Sequence, residues 1–340
     1  MVARLDKVDR SIFLHPATIA SLLFLGLASM FSVSIHTAPV IAVRWNLTKA
    51  DEVLQNAPAR SLVPIQTPQA YGAMGDGVTD DTAAFQLALN HGDLSVPPAT
   101  YLINGNIYVP SYRRVQCQPG ANLHTTRHDG HESGVITFKA VSNSSVIGCT
   151  ITGSNTSTVP VLDRDQWNYL IWVSSSNNIV VTGNTLKYAF ANGALRFDGE
   201  GSSNTPSENI QATYNDFESN GYYGLVTISA NNVQALHNRF VDSSCCAEAN
   251  SPTTDQSMRN VYAYNYMTSV NGNAATCGKS CDAGIFFTGG KAPSNFNYGT
   301  VQVHDNYITG KNTRLITNAD SGSTPPTYTN NRCLDGCKEQ

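Results

Sequence analysis

From Ile179 onward the apolar positions follow one short phrase. An aliphatic residue is followed by a few polar ones, then an Asn, then a large apolar residue two places later. The phrase recurs as Ile179…Asn184/Leu186, Ile210…Asn215/Phe217, Val233…Asn238/Phe240, Val261…Asn265/Met267 and Val301…Asn306/Ile308. Recurrence at this interval predicts a solenoid of stacked coils. The key positions Asn184, Asn215, Asn238, Asn265, Asn306 and Asn331 are 31, 23, 27, 41 and 25 residues apart. Roughly two dozen residues make one three-strand coil, so the surplus falls in loops. An Asn at the same turn of each coil tolerates a left-handed backbone and hydrogen-bonds to its copies above and below. These Asn are therefore read as structural. Cys149, two residues before Ile151, holds the equivalent place in an earlier coil.

The period changes at the front of the repeats. In Tyr71–Leu89, YGAMGDGVTDDTAAFQLAL, Gly72, Gly75 and Gly77 allow turns with positive φ. Thr79, Asp80 and Asp81 offer acceptors to the free N–H groups of a helix start, which makes the Asp doublet structural. Ala84, Phe85, Ala88 and Leu89 fall on one helical face. A short amphipathic helix here would cover the open end of a solenoid, whose first coil would otherwise expose core and strand edges.

This stretch resembles the N-terminal signature of the pectate lyase superfamily, in the branch with rhamnogalacturonase- and epimerase-like proteins. Val96–Pro110, VPPATYLINGNIYVP, is similar to the strands that follow it there, with Ala99 where that family has Gly. The resemblance covers about residues 69–340, specific at the front and diffuse after it. It implies an all-β fold, a single-stranded right-handed parallel β-helix with a short N-terminal capping helix. It does not choose an activity, because that superfamily spans lyases, hydrolases, epimerases and non-catalytic phage proteins.

Composition narrows the setting. The 340 residues carry a net charge of -4 and only 14% charged residues, which argues against a nucleic-acid partner. Arg4, Lys7 and Arg10 precede an uncharged run from Ala17 to Ile35. Residues 1–42 are read as a cleaved export signal or an uncleaved membrane anchor, placing the chain outside the cell, on its surface or in a periplasm. Residues 43–69, with Pro58, Pro64 and Pro68, read as a linker, and 70–340 as the β-helix. Eight Cys in an exported chain suggest disulfides. Cys117 and Cys149 suit a bridge between neighbouring coils, and Cys277/Cys281 and Cys333/Cys337 suit clips on loops. Asn46, Asn143 and Asn155 head glycosylation sequons.

In a parallel β-helix, alternate residues face core and solvent. Outward residues of one sheet, stacked over several coils, make a groove that suits a polymer. Aligning strands nine residues after Asn184 and Asn215 overlays Gly193–Asp198 on Gly224–Ser229, and Leu170–Ser174 fits the same frame. Leu195 and Phe197 then face inward, since Arg196 and Asp198 are costly to bury alone. An outward column of Trp172, Arg196 and Thr227 follows, with Asp198 in the next column between Ser174 and Ser229. The expected ligand is an acidic polysaccharide. Trp172 offers a stacking platform and Arg196 a two-bond partner for a uronate carboxylate. Neutralising that carboxylate acidifies the adjacent C5 proton, which prepares β-elimination. Arg196 is the candidate base or clamp and Asp198 the second catalytic candidate; Thr227, Tyr223 and Glu218 complete the expected substrate contacts. The resemblance also implies Ca²⁺, for which Asp198 and Glu200 are the candidate oxygen donors. The competing reading is a surface Arg196–Asp198 ion pair beside an exposed Trp.

Other chemistries have weaker signals. A glycoside hydrolase needs two facing carboxylates, and Asp198, Glu218, Asp242 and Asp282 are available. The paired-Asp and Gly-His-Gly pattern of polygalacturonases and the Asp-Pro-His segment of mannuronan epimerases are missing. Tyr222 and Tyr223 stand just before the groove strand, whereas His237 and His304 precede ladder Asn on another turn. His124, His128 and His131 with Asp129 form a local cluster, read as a polar loop or a metal site. A glycan-binding solenoid without turnover is the third class. A one-residue slip leaves Asn250 and the Phe286/Phe287 pair unassigned to a face.

Overall fold

The computed structural model describes residues 63–128, 133–155, 168–189, 193–199, 205–221, 223–241, 245–250, 259–268, 283–288, 298–309, 314–318, 325–334 and 337, with backbone alone for 245–250, 283, 286–288 and 314–318. Their strands assemble into three parallel sheets of ten, ten and eight strands, called A, B and C below. One coil shows the path. Asn177–Thr182 lies in sheet A, Thr185–Lys187 in sheet B and Leu195–Asp198 in sheet C. The chain then re-enters sheet A at Ser207–Thr213, pairing in parallel with Asn177–Thr182. This is the expected right-handed β-helix, in which each strand pairs with its counterparts one coil before and one coil after.

The turn from sheet A to sheet B explains the repeated Asn. Each holds two residues, as at Gly183–Asn184 or His237–Asn238, and the first has positive φ. The second sends its side chain inward. Asn215 donates its backbone N–H and Nδ2 to Asn238 Oδ1 at 2.9 and 3.1 Å, and Nδ2 also bonds Val181 O at 2.9 Å. The same bonds run through Asn184, Asn238, Asn265, Asn306 and Asn331. Each rung thereby satisfies backbone groups the tight turn would leave orphaned. Cys149 ends the ladder as expected, its N–H bonding Asn184 Oδ1 at 2.9 Å. It is also bridged to Cys117, 32 residues earlier.

The large residue two places after each Asn fills the core. Ile151, Leu186, Phe217, Phe240, Met267 and Ile308 stack in register along sheet B, and all are buried. The rings of Phe217 and Phe240 lie 4.6 Å apart and nearly parallel.

Helix α1, Thr82–His91, buries Ala84, Phe85, Ala88 and Leu89, the face read from the sequence. Phe85 meets Tyr101 edge to face at 5.0 Å. The Asp doublet splits its work. Asp80 accepts from Thr82 N–H at 3.1 Å, at the helix start. Asp81 turns back and accepts from Met74 and Gly75 N–H at 2.7 and 3.1 Å, pinning the glycine-rich turn. The strand Ile65–Gln66 pairs in parallel with Asp93–Leu94. Cys333 and Cys337 close the expected clip; Cys277 and Cys281 lie outside the described residues.

Candidate functional site

Length variation in the chain falls around sheet C. From Asp93–Val96 onward the turns from A to B hold two or three residues. In contrast, residues 153–167 and 269–282 join sheet B to sheet C, and 251–260 and 289–301 join sheet C to sheet A. Loops on a rigid scaffold are where binding and catalysis usually reside.

Sheet C strands carry a built-in offset. Leu170 and Ile171 N–H both bond Ala194 O, at 3.1 and 3.0 Å. Two successive residues thus face inward before alternation resumes, which is a β-bulge. Leu170, Ile171 and Val173 join the core, while Tyr169 and Trp172 form a separate cluster on the other face. Ala194, Leu195 and Phe197 repeat this inward set in the next coil.

Register places Trp172 opposite Arg196 and Ser174 opposite Asp198, as expected. Trp172 Nε1 donates to both Asp198 oxygens at 3.0 Å. Arg196 Nε donates to Asp198 Oδ2 at 2.6 Å, and a terminal guanidinium nitrogen donates to Tyr169 OH. The guanidinium also lies 5.0 Å from the Tyr169 ring centroid. Lys139, exposed at the edge, sits 5.6 Å from the Trp172 ring. The cluster is covered: Trp172 is 3%, Arg196 8% and Asp198 3% exposed. The indole therefore presents no open face in this conformation, and the ion pair is buried, not superficial. Burial pushes the Asp198 carboxyl above its usual value, against the opposing pull of Arg196 and the indole N–H.

Thr227 is not in this column. Arg196 pairs with Val226, and Thr227 pairs with Phe197 on the inward side. Its hydroxyl lies 2.7 Å from Tyr262 OH inside the solenoid. The slip arises because Gly193 and Gly224 are not equivalent. A Cβ on Gly193 would strike Val226, whereas one on Gly224 would strike Phe240 and Phe217 in the core. In backbone register Phe286 pairs with Glu248, which pairs with Val226, and Phe287 pairs with Ala249. Asn250 shares the column of Ile228.

Tyr223 opens its sheet C strand and is buried. Glu218 lies on sheet B, away from this cluster. There Arg239 bonds both Asp216, at 2.6 Å, and Glu218, which also pairs with Lys187. Burial and the neighbouring Glu218 raise the Asp216 carboxyl. Glu218, although partial burial works the other way, is held below its usual value by Lys187 and Arg239. Asp216 and Arg239 were missed as site candidates, yet each directly follows a ladder Asn, a position that always faces outward. His124 sits in a sheet B strand and meets Thr152 Oγ1 at 3.1 Å. Glu200, Tyr222, Asp242, Asp282, Asp129 and His131 lie outside the described residues. Among the described residues no group of three or more His, Cys, Asp or Glu is placed to hold a metal. Both Asp198 oxygens already face N–H donors, an arrangement unlike the oxygen-rich shell calcium takes.

No family model and no curated protein matches the sequence. Solved structures share the fold. The chain is similar to iota-carrageenase family GH82 from A. fortis, at TM-score 0.54 and 16% identity over 77% of this chain and 57% of that one. It is similar to the family 28 exopolygalacturonase of Yersinia enterocolitica, at TM-score 0.53 and 12% identity over 81% and 67%. It is equally similar to the N-terminal fragment of bacteriophage Phi29 gene product 12, at TM-score 0.53 and 16% identity over 84% and 46%. At such identities the likeness is one of fold alone.

Proposed function

We propose that the chain is an exported carbohydrate-active protein that takes an acidic polysaccharide along the outward face of sheet C and cleaves it by β-elimination. The observation that carries this reading is the placement of Trp172, Arg196 and Asp198 on adjacent rungs of one outward face, on the sheet whose connections vary most in length. In the reaction, a cation neutralises the uronate carboxylate, a base takes the C5 proton, and the C4–O bond breaks with its electrons on the leaving oxygen. Arg196 donates from two nitrogens and is a cation here, which suits the clamp and not the base. Asp198, with its carboxyl raised by burial, is the proton-transfer candidate. A substrate carboxylate has to displace Asp198 from Arg196, so engagement includes opening this pair. No step is assigned to calcium.

The closed pair favours a second reading, a glycan-binding solenoid without turnover. A panel of polygalacturonate, alginate and neutral polysaccharides separates the two. Ultraviolet absorbance from unsaturated ends, lost in Asp198→Asn, supports elimination. New reducing ends without that absorbance assign hydrolysis instead. Retention without either product supports binding alone, and no retention of any acidic polymer ends the proposal.

A further inference from the structure

The corner between sheets A and B carries a pattern that the sheet C cluster does not use. Each ladder Asn is flanked by a turn residue before it and an outward sheet B residue after it. After it stand Arg239, Tyr266, Tyr307 and Arg332, stacked in register on successive rungs. Tyr266 is 38% exposed. Arg332 is exposed, and its guanidinium lies 5.9 Å from the Tyr307 ring. Before the Asn, the rings of Tyr214, His237 and Tyr264 stack at 4.9 Å steps, and Tyr264 is 47% exposed. Two parallel rows of aromatic and cationic groups thus run along the axis on an open face.

We propose that this face is a second carbohydrate surface, for a linear acidic polysaccharide lying along the solenoid axis. Rungs advance by about 4.8 Å, close to the advance of one pyranose ring, so a periodic wall meets a periodic ligand. Tyr266 supplies a flat apolar ring for a sugar face, and Tyr307 backs the Arg332 guanidinium. Arg332 supplies a planar cation for a uronate carboxylate. The nearby acid, Asp305, is held by His304 and Asn330, with a weaker charge attraction to Arg332. Arg239 is tied to Asp216 and Glu218, which fixes one end of the row and leaves Arg332 as the charge that reads the ligand. The inference shares with the sheet C reading only the class of ligand, and its residues are different.

The test uses the full chain and polygalacturonate, with dextran as the neutral probe, in affinity electrophoresis. Tyr266→Ala and Arg332→Glu are first shown to melt like the parent. Each is expected to weaken polygalacturonate retention about tenfold, while Tyr266→Phe retains it, and added salt weakens retention by the parent more than retention by Arg332→Glu. Parent-like retention in both Tyr266→Ala and Arg332→Glu overturns the proposal, as does equal retention of dextran or no retention of polygalacturonate by the parent. Turnover and its loss in Asp198→Asn are scored separately. Retention that depends on Tyr266 without any turnover leaves this surface standing and removes the sheet C reaction. Turnover with retention indifferent to Tyr266 and Arg332 does the reverse.

Discussion

The indole N–H of Trp172 points between the two carboxylate oxygens of Asp198, 3.0 Å from each, across one rung of sheet C. Arg196 approaches the same carboxylate from its own strand. Asp198 is therefore a buried carboxyl with one principal partner on the preceding coil and one on its own strand, and removing either leaves it short of compensation.

Arg196→Ala should destabilise the fold by about 3–5 kcal/mol, the usual cost of breaking a buried pair from one side. Trp172→Phe keeps the bulk, removes the donor and should cost about 1–3 kcal/mol. Adding Asp198→Ala to Arg196→Ala should recover part of the loss. Urea denaturation of the parent, Trp172→Phe, Arg196→Ala, Asp198→Ala and the double variant measures this. Additive single losses in the double variant would show that the pair is not coupled.

The raised Asp198 carboxyl fixes the sign of a pH effect. The native state holds this proton to higher pH than the unfolded chain, whose value is near 3.8. The contribution of Asp198 to stability is thus fullest below that value, falls as pH rises through the native value, and is flat above it. The melting temperature of the parent minus that of Asp198→Asn should decline over this acidic window. A difference that grows with pH would mean that attraction to Arg196 outweighs desolvation.

The ladder makes a prediction with a gradient. Asn238→Ala orphans Asn215 N–H, removes one of the two Asn215 Nδ2 bonds and takes a donor from Ala212 O, all in the interior. A loss of about 3 kcal/mol or more is expected. At the last described rung Asn331 is half-buried, and Asn331→Ala should cost about 1 kcal/mol. Equal losses at the two positions in chemical denaturation would refute a ladder graded by burial.

Much of this was legible in the sequence because one inward Asn and one inward apolar residue per coil are demanded by the same short turn. The capping helix was legible through the spacing of Phe85 and Leu89. Sheet C was harder. Its paired inward residues break strict alternation, and glycines at equal distance from Asn184 and Asn215 face opposite ways, which moved Thr227 by one place. Nor does spacing reveal that the Trp172–Arg196–Asp198 cluster is buried. Thr227→Val tests the corrected register. If Thr227 faces inward, the change removes its hydroxyl contact with Tyr262 OH, costing about 1 kcal/mol in melting experiments, with polysaccharide retention unchanged. Loss of retention at parental stability would return Thr227 to the outward face.

The Cys117–Cys149 bridge ties consecutive coils where the ladder begins. It closes a segment with sequence separation 32, so it restricts the unfolded chain far more than the Cys333–Cys337 clip, with separation 4. Its removal in Cys117→Ala/Cys149→Ala should cost about 3 kcal/mol. The ladder bond from Cys149 N–H to Asn184 belongs to the backbone and survives the change. Melting with and without reductant should therefore show a large shift in the parent and a small residual one in the double variant, because Cys333–Cys337, the other bridge among the described residues, constrains little. A full-sized shift that persists in the double variant would assign the stabilisation to other cysteines.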